Sequence, residues 1–563
     1  MRAGQILLSN NVLLWVSLFT WPLVLGITSR IAAQQGPDTS YSSKTSTSLL
    51  AAGRILDQAS FGPTTNDILH VEQVGVAGYV NEQLQMPATL MPKTVPAGTF
   101  GIADCSSFWT CYPEAWWWQN ALWAPDQLRE RVAFALSKLF VVSENGVDGR
   151  YMPAYFNTLS KDSFGNWYQL MTDITYQPAM GTYLNSANSS AAINGGHADE
   201  NFGREFMQLF SIGTVALNQD GSPRLDANGN PIPNYAPAIV QNFARAYTGL
   251  TFAQDDCSTP TSQNFYWWPN PPGQGCAMVP LDYLHDTNAK ILLRGQTLPA
   301  GQDTKADIAG ALQNVFKDPS LPPFVCRRLI QYLVKSNPSP QYISRVAAVF
   351  INDGKGTRGN MSAVIPAILL DSEARADDAG GVPDENTGKL KEPILWWAAV
   401  LRATQATSGT KLPYVGLYRG VFDLWLADLG ESHHQPASVF SYFSPNNTLN
   451  NSTLFAPEFQ IENTNSISLM AEHAQDMIDN HWDWTPANEM NLDLSASSFL
   501  GQVAASQGPG NLVDLLNALL MHGAMTSEMK STIVNAITGL DAATMTRNAV
   551  YLIVTSPEYR VAI

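Results

Sequence analysis

The sequence predicts an all-α protein, a multi-helical globule carrying a small β-hairpin insertion near 215–235. Three observations point there. Apolar residues recur at the 3.6-residue period from Leu49 through most of the chain, strand signals are few, and 45% apolar content over 563 residues can fill a large core. By length the chain holds roughly two to four domains.

Leu50, Ile55 and Leu56 share one face of a first helix. It stops at Phe61-Gly62-Pro63, where Gly ends a helix and Pro opens the next. Helical periodicity follows near 65–86, 113–142, 163–186, 200–212, 236–250, 304–316, 321–335, 339–352, 361–374, 392–406, 464–478, 511–521 and 541–556. Val215 to Tyr235 is the exception, because Asp220-Gly221 and Asn228-Gly229 are tight-turn dipeptides that predict a hairpin or meander. Its Asp and Asn residues invite a calcium reading. An EF-hand loop needs Gly at its sixth position, however, and here Gly stands fourth after Asp226, so turn chemistry is favoured.

Irregular aromatic-rich stretches at 251–284 and 427–463 are candidates to cover a site. Residues 376–391 read as a linker between an N-terminal helical region, 47–375, and a C-terminal one, 392–563; the two also read as one continuous domain. The echo between Ile368–Arg375 and Ile553–Arg560 is a shared way of ending helices.

Forty-eight acidic against 32 basic side chains leave a net charge of −16, which repels phosphate backbones and excludes nucleic acid as a partner. Arg2 precedes the uncharged run Val12–Ile27, sixteen residues that are short for a membrane span. With Ile31-Ala32-Ala33 behind it, 1–33 reads as a signal peptide and 34–46 as a flexible spacer; the alternative is an uncleaved anchor. The expected location is extracytoplasmic: periplasm, cell surface or medium. No membrane span is expected in the mature chain. Cys105 with Cys111, and Cys257 with Cys276, bracket loops and are expected as disulfides, while Cys326 sits in an apolar helix as a buried free thiol. No pair has CxxC spacing, so zinc sites and thioredoxin chemistry have no support; no metal or other cofactor is expected.

The segment His197–Gly213, HADENFGREFMQLFSIG, is the most distinctive in the chain. It resembles the signature of the bacterial domain-of-unknown-function family 1800, with Phe206 in place of the usual Leu. Arg54–Thr64, Arg131–Phe140, Phe164–Trp167, Pro178–Met180, Ala244–Gly249, His285-Asp286 with Lys290, Lys391–Pro393, Ser438–Phe440 and Pro457–Phe459 continue the resemblance in order. It implies an exported helical protein, often encoded beside a sulfatase-like exported partner, and specifies no reaction.

At 100° per residue, Phe202, Phe206, Leu209 and Phe210 face the core, and Glu200, Asn201, Arg204, Glu205 and Gln208 lie opposite. Glu200–Arg204 and Asn201–Glu205 are i,i+4 pairs, and Asp199 is placed for the N-terminus. Three readings follow: a solvated salt-bridged face, a polar network locking the helix to its neighbours, or a site. In the last, Glu200 or Glu205 is the general acid/base, Arg204 tunes it or holds an anion, and His285 joins from outside the helix. His197, Asn201, Asp286, Lys290, Trp267 and Trp268 are the binding candidates. His197 lacks a dedicated metal spacing, and His285-Asp286 is favoured as a turn-stabilising pair. His433-His434 is read as an exposed tandem without function. Most Trp residues, including Trp116–Trp118 and Trp396-Trp397, belong to the core, whereas Trp267-Trp268 is the pair expected to be exposed for sugar stacking. The leading expectation is an extracytoplasmic binding or assembly protein working with a sulfatase-like partner and a glycan or other polymer. The alternative is a hydrolase or lyase acting through Glu200, Arg204 and Glu205.

Overall fold

The computed structural model describes residues 47–92, 111–191, 197–266, 272–380, 386–408, 421–479 and 490–562. The expected signal segment and spacer, Cys105, Trp267, Trp268 and the Cys111 side chain lie outside the described residues.

Among those residues the chain forms twenty α-helices and four two-stranded antiparallel pairs. Helices α1 (Leu49–Ala59), α2 (Thr65–Val74), α3 (Val76–Gln85), α4 (Cys111–Trp123), α5 (Gln127–Leu139), α6 (Met152–Asp162), α7 (Trp167–Thr175) and α8 (Pro178–Tyr183) precede the signature helix, α9 (Asn201–Gln208), and α10 (Pro237–Ala246). Then come α11 (Thr304–Lys317), α12 (Leu321–Leu333), α13 (Pro340–Ile351) and α14 (Met361–Leu369). The last group is α15 (Pro393–Ala403), α16 (Val421–Asp428), α17 (Thr464–Ile478), α18 (Phe499–Met521), α19 (Ser527–Ile537) and α20 (Ala542–Val554). The short strands pair as β1 (Leu250–Thr251) with β2 (Val279–Pro280), β3 (Lys290–Ile291) with β4 (Thr297–Leu298), β5 (Lys389–Leu390) with β8 (Val561–Ala562), and β6 (Thr407–Ser408) with β7 (Met490–Asn491).

Breakers divide the longer periodic runs. The 65–86 run splits at Gly75, whose φ of +81° suits glycine. Pro125 separates α4 from α5, and Pro178 separates α7 from α8, since neither can donate a helical N–H. Helix α2 opens on a reciprocal Thr64–Asp67 capping box, with Pro63 just outside it. Within α1, a Cβ on Gly53 would lie 2.5 Å from His522, so glycine is what lets the end of α18 close on this helix.

The insertion after the signature is a meander of isolated bridges, Val215–Pro233, Leu217–Pro223 and Leu225–Pro231. Three prolines remove the donors a continuous ladder needs. Its acids serve the turns: Asp226 Oδ1 accepts from the Asn228 and Asn230 amides, and Asp220 Oδ1 from Ser222. Cys257 and Cys276 form a disulfide, and Cys326 is a buried free thiol. Trp116–Trp118, Trp396 and Trp397 are all buried. No helix among the described residues is long and apolar enough to cross a membrane.

Residues on both sides of 376–391 contribute to one hydrophobic core. Through it runs a chain of buried charges. Lys138 on α5 contacts Glu392, the residue before α15, and lies 3.6 Å from Glu431 after α16. Lys389 on β5 pairs with Glu458 at 3.0 Å, and Lys391 with Asp57 on α1 at 3.0 Å. His522 Nε2 is 2.7 Å from the same Asp57. Arg131 and Lys389 both donate to the carbonyl of Tyr332, at the negative end of α12. Burial lowers the Arg131 guanidinium to about 10, against the pull of Asp57, Glu431 and Glu458. Four cations (Arg131, Lys138, Lys389, Lys391) thus meet four carboxylates (Asp57, Glu392, Glu431, Glu458).

Removing one member of such a pair leaves an uncompensated buried charge, which costs about 3–5 kcal/mol. Glu458→Gln is therefore expected to destabilise the protein by about that amount in urea unfolding. The double variant Lys389→Met/Glu458→Leu should lose clearly less than the single one. Equal losses would show that the charge pairing is not what the fold depends on here.

Candidate functional site

The signature helix docks through its apolar face. Phe202 and Phe206 are buried against Tyr247, with ring centroids 4.8 and 6.0 Å away. Gly203 sets the approach to α10, because a Cβ there would meet the Ala244 nitrogen at 3.2 Å. Asp199 starts the helix by accepting from the Asn201 amide at 2.8 Å. At the other end, Gly213 takes a φ of +72°, and the Asn234 side chain donates to the carbonyls of Ile212, Gly213 and Val215 at 2.8–3.0 Å.

The opposite face is organised by Arg204. Its guanidinium reaches Glu205 Oε1 and Asn201 Oδ1, each at 3.2 Å, and lies 3.8 Å from Glu200. The Asn201–Glu205 pair expected from spacing is replaced by Arg204 bridging both residues. Side chains of Glu200 and Arg204 are 43% and 41% exposed, while Glu205 is at 10% with Oε2 buried and unbonded. Among the described residues no hydrogen bond or ion pair ties these four side chains to another element, while the charge of buried Glu205 acts on the hydroxyls of Tyr183 and Tyr235. The Phe202–Gly203–Phe206 face carries the packing against α10. His197 is exposed just ahead of it.

His285 and Lys290 belong to a second, closed cluster. His285 Nε2 lies 2.9 Å from Asp307 on α11, its Nδ1 lies 2.8 Å from the Thr248 carbonyl, and Lys290 Nζ lies 2.5 Å from the same Asp307 oxygen. All three side chains are fully buried. Asp286 instead takes a two-pronged grip from Arg245, at 2.9 and 3.1 Å. Burial would raise its carboxyl, but Arg245 and the Asn288 amide bring it to about 2. This cluster pins α10, α11 and the β3 segment together, and no hydrogen bond or ion pair among the described residues joins it to the Arg204 stripe. Asp307 and Arg245 were missed in sequence because their partners are 22 and 41 residues away.

An open cleft of about 320 Å³ lies where the signature segment ends. Gln208, Leu209 and Ile212–Val215 form one wall, α12 another through Phe324, Arg327 and Arg328, and Val439–Phe440 with Ser444–Asn446 the third. Phe440 stands 48% exposed at this margin. The third wall comes from the 427–463 stretch expected to cover a site. Among the described residues no carboxylate lines the cleft. The available sequence signal was Arg327-Arg328 inside an apolar helix with no Asp or Glu within a turn on either side.

The tandem histidines are not exposed. His433 lies tilted at 56° against Trp117 with centroids 4.4 Å apart and His434 stacks on Phe156 at 4.3 Å; both are buried, none of their four ring nitrogens has a hydrogen-bond partner among the described residues, and His434 Nδ1 lies 3.5 Å from the buried Glu144 carboxylate. Their Ser/Pro-bounded loop is drawn inward by the aromatic core of α4 and α6. Among the described residues no group of three or more His, Cys, Asp or Glu is placed to hold a metal ion.

A family model described as "Protein of unknown function (DUF1800)" matches residues 54–561, nearly the whole chain, and the chain belongs to that family. No curated protein and no solved structure matches it.

Burial holds His433 down to about 3 and His434 well below the ordinary histidine value, so both are neutral in the folded state. Unfolding below about pH 6.5 lets each take a proton, so their contribution is complete above that pH and lost as pH falls toward 3. The limiting slope is about 1.4 kcal/mol per pH unit for each histidine. Urea unfolding between pH 7 and pH 4 should show it, and His433→Phe should remove one histidine's share of the slope.

Proposed function

We propose that this DUF1800-family protein is an extracytoplasmic binding protein whose ligand site is the cleft at the end of the signature helix. The observation that carries the reading is the composition of that cleft: room for a small group, an exposed aromatic ring at its margin, cationic and amide side chains in its walls, and no carboxylate among the described residues. Hydrolysis or elimination needs an acid or base within hydrogen-bond reach of the reacting atom. Lys138, the lining amine, is already engaged by Glu392 and Glu431. The other titratable lining group, Tyr332, gives its hydroxyl hydrogen bond to the Lys138 carbonyl, so both groups are engaged within the fold, which supports binding as the reading. Phe440 offers a ring face of the kind that packs against sugars, which supports a glycan or similar exported polymer as ligand. The Cys257–Cys276 disulfide supports an oxidising compartment. A sulfatase-like exported partner belongs to this reading through the family resemblance alone.

A second reading, a hydrolase or lyase working through Glu200, Arg204 and Glu205, has one observation in its favour: the unbonded buried Oε2 of Glu205 beside Arg204. A base in that state has a free lone pair to accept a proton.

Affinity electrophoresis of the mature chain through neutral and acidic polysaccharides separates the two. Retention without release of new reducing ends is expected. Thr214→Trp, at an exposed position in the cleft wall, should weaken retention about ten-fold with its unfolding midpoint unchanged. No retention of any polymer, or equal retention by the variant, ends the binding reading. New reducing ends that vanish in Glu205→Gln establish the enzyme instead.

A further inference from the structure

We propose that the cleft recognises an oxyanion carried by the ligand, a sulfate, phosphate or carboxylate group, held by Arg327 with Arg328 behind it. This rests on the cleft being the binding site and adds what it reads.

The argument starts from how the protein treats its other arginines. Arg54 meets Asp378, Arg245 meets Asp286, Arg402 meets Asp67 and Arg560 meets Glu462, and Arg131, which makes no ion pair among the described residues, sits in the field of Asp57, Glu431 and Glu458. Arg328 is only 8% exposed, yet it donates to neutral oxygens: Gln331 Oε1 at 2.8 Å and Asn446 Oδ1 at 2.9 Å. Arg327, half-buried beside it, has no ion pair or hydrogen bond among the described residues and lies 4.5 Å over the Phe455 ring. Adjacent cations in a site without acids repel each other. Burial lowers both guanidiniums, Arg328 to about 10 with Arg327 adding to the shift. This happens in a chain of net charge −16, where acidic partners are plentiful elsewhere.

A guanidinium fork matches the paired oxygens of a carboxylate, sulfate or phosphate, and the desolvated site strengthens the contact. Arg328 is already held in place by Gln331 and Asn446 and supplies field; Arg327 has its donors free. Phe440 at the margin and the Asn446 and Ser444 side chains complete a surface suited to an anionic sugar or similar polar ligand.

The test is calorimetric titration of the mature chain with sodium sulfate, sodium phosphate, sodium glucuronate and neutral glucose, all at one ionic strength set with sodium chloride. Saturable binding of at least one of the three oxyanions is expected, with none for glucose alone, and the anion preferred identifies the group. Arg327→Gln should weaken it about ten-fold or more, Arg327→Lys should keep part of it, and Arg224→Gln on the exposed meander should leave it unchanged. No saturable response to any of the three, or equal affinity in Arg327→Gln, overturns the inference. Failure here while Thr214→Trp still weakens polymer retention leaves the cleft as a binding site that does not read charge. If Thr214→Trp fails to affect retention, the cleft reading itself falls.

Discussion

The placement of the last third of the chain on the first depends on the row of buried charges joining α1 and α5 to the segment that begins at Lys389. Water cannot compensate those groups, so each must find its opposite inside the protein. Lys391 cannot stay beside Asp57 unless β5 is paired with β8, and Lys138 cannot stay beside Glu392 unless α15 starts where it does. The pairing thus specifies where the last third of the chain sits on the first. Several of its members fall within the stretches that carry the family resemblance: Asp57 in Arg54–Thr64, Arg131 and Lys138 in Arg131–Phe140, Lys391 and Glu392 before Pro393, Glu458 after Pro457.

The same row positions the cleft. Tyr332, at the end of α12, offers its carbonyl to Arg131 and Lys389, and two cations there suit the helix dipole. That clamps the helix bearing Arg327 and Arg328 against α5. On the far wall, Asn234 fastens the turn that ends the signature segment, and its Oδ1 accepts from Ser320 just before α12 at 3.1 Å. Two walls are held by neutralised or fully bonded groups, and the arginines between them are what the frame leaves uncompensated.

The helical faces of the signature segment were legible because local periodicity places Phe202, Phe206 and Phe210 together whatever surrounds them. The i,i+4 contact of Glu200 with Arg204 was legible for the same reason. Arg204 bridging Asn201 and Glu205 was a choice among local options that spacing leaves open. His285 was noticed, but adjacency suggested Asp286, and the fold supplied Asp307. The tandem histidines show the limit plainly: flanking Ser and Pro suggest a surface loop, and only the aromatic wall of Trp117 and Phe156 draws that loop inside.

By itself the sequence determined the helical class, the breakers that divide the helices, the turn chemistry of the meander, the 257–276 disulfide loop and the family. Each of these follows from residues close together in the chain, or from a pattern read along it. Which charges are neutralised was decided by tertiary structure alone, because Lys138 with Glu392, Lys389 with Glu458 and Lys391 with Asp57 meet across tens to hundreds of residues. The cleft is of that kind too. Two arginines in an apolar helix carry no signal until folding shows that, among the described residues, no carboxylate pairs with either guanidinium.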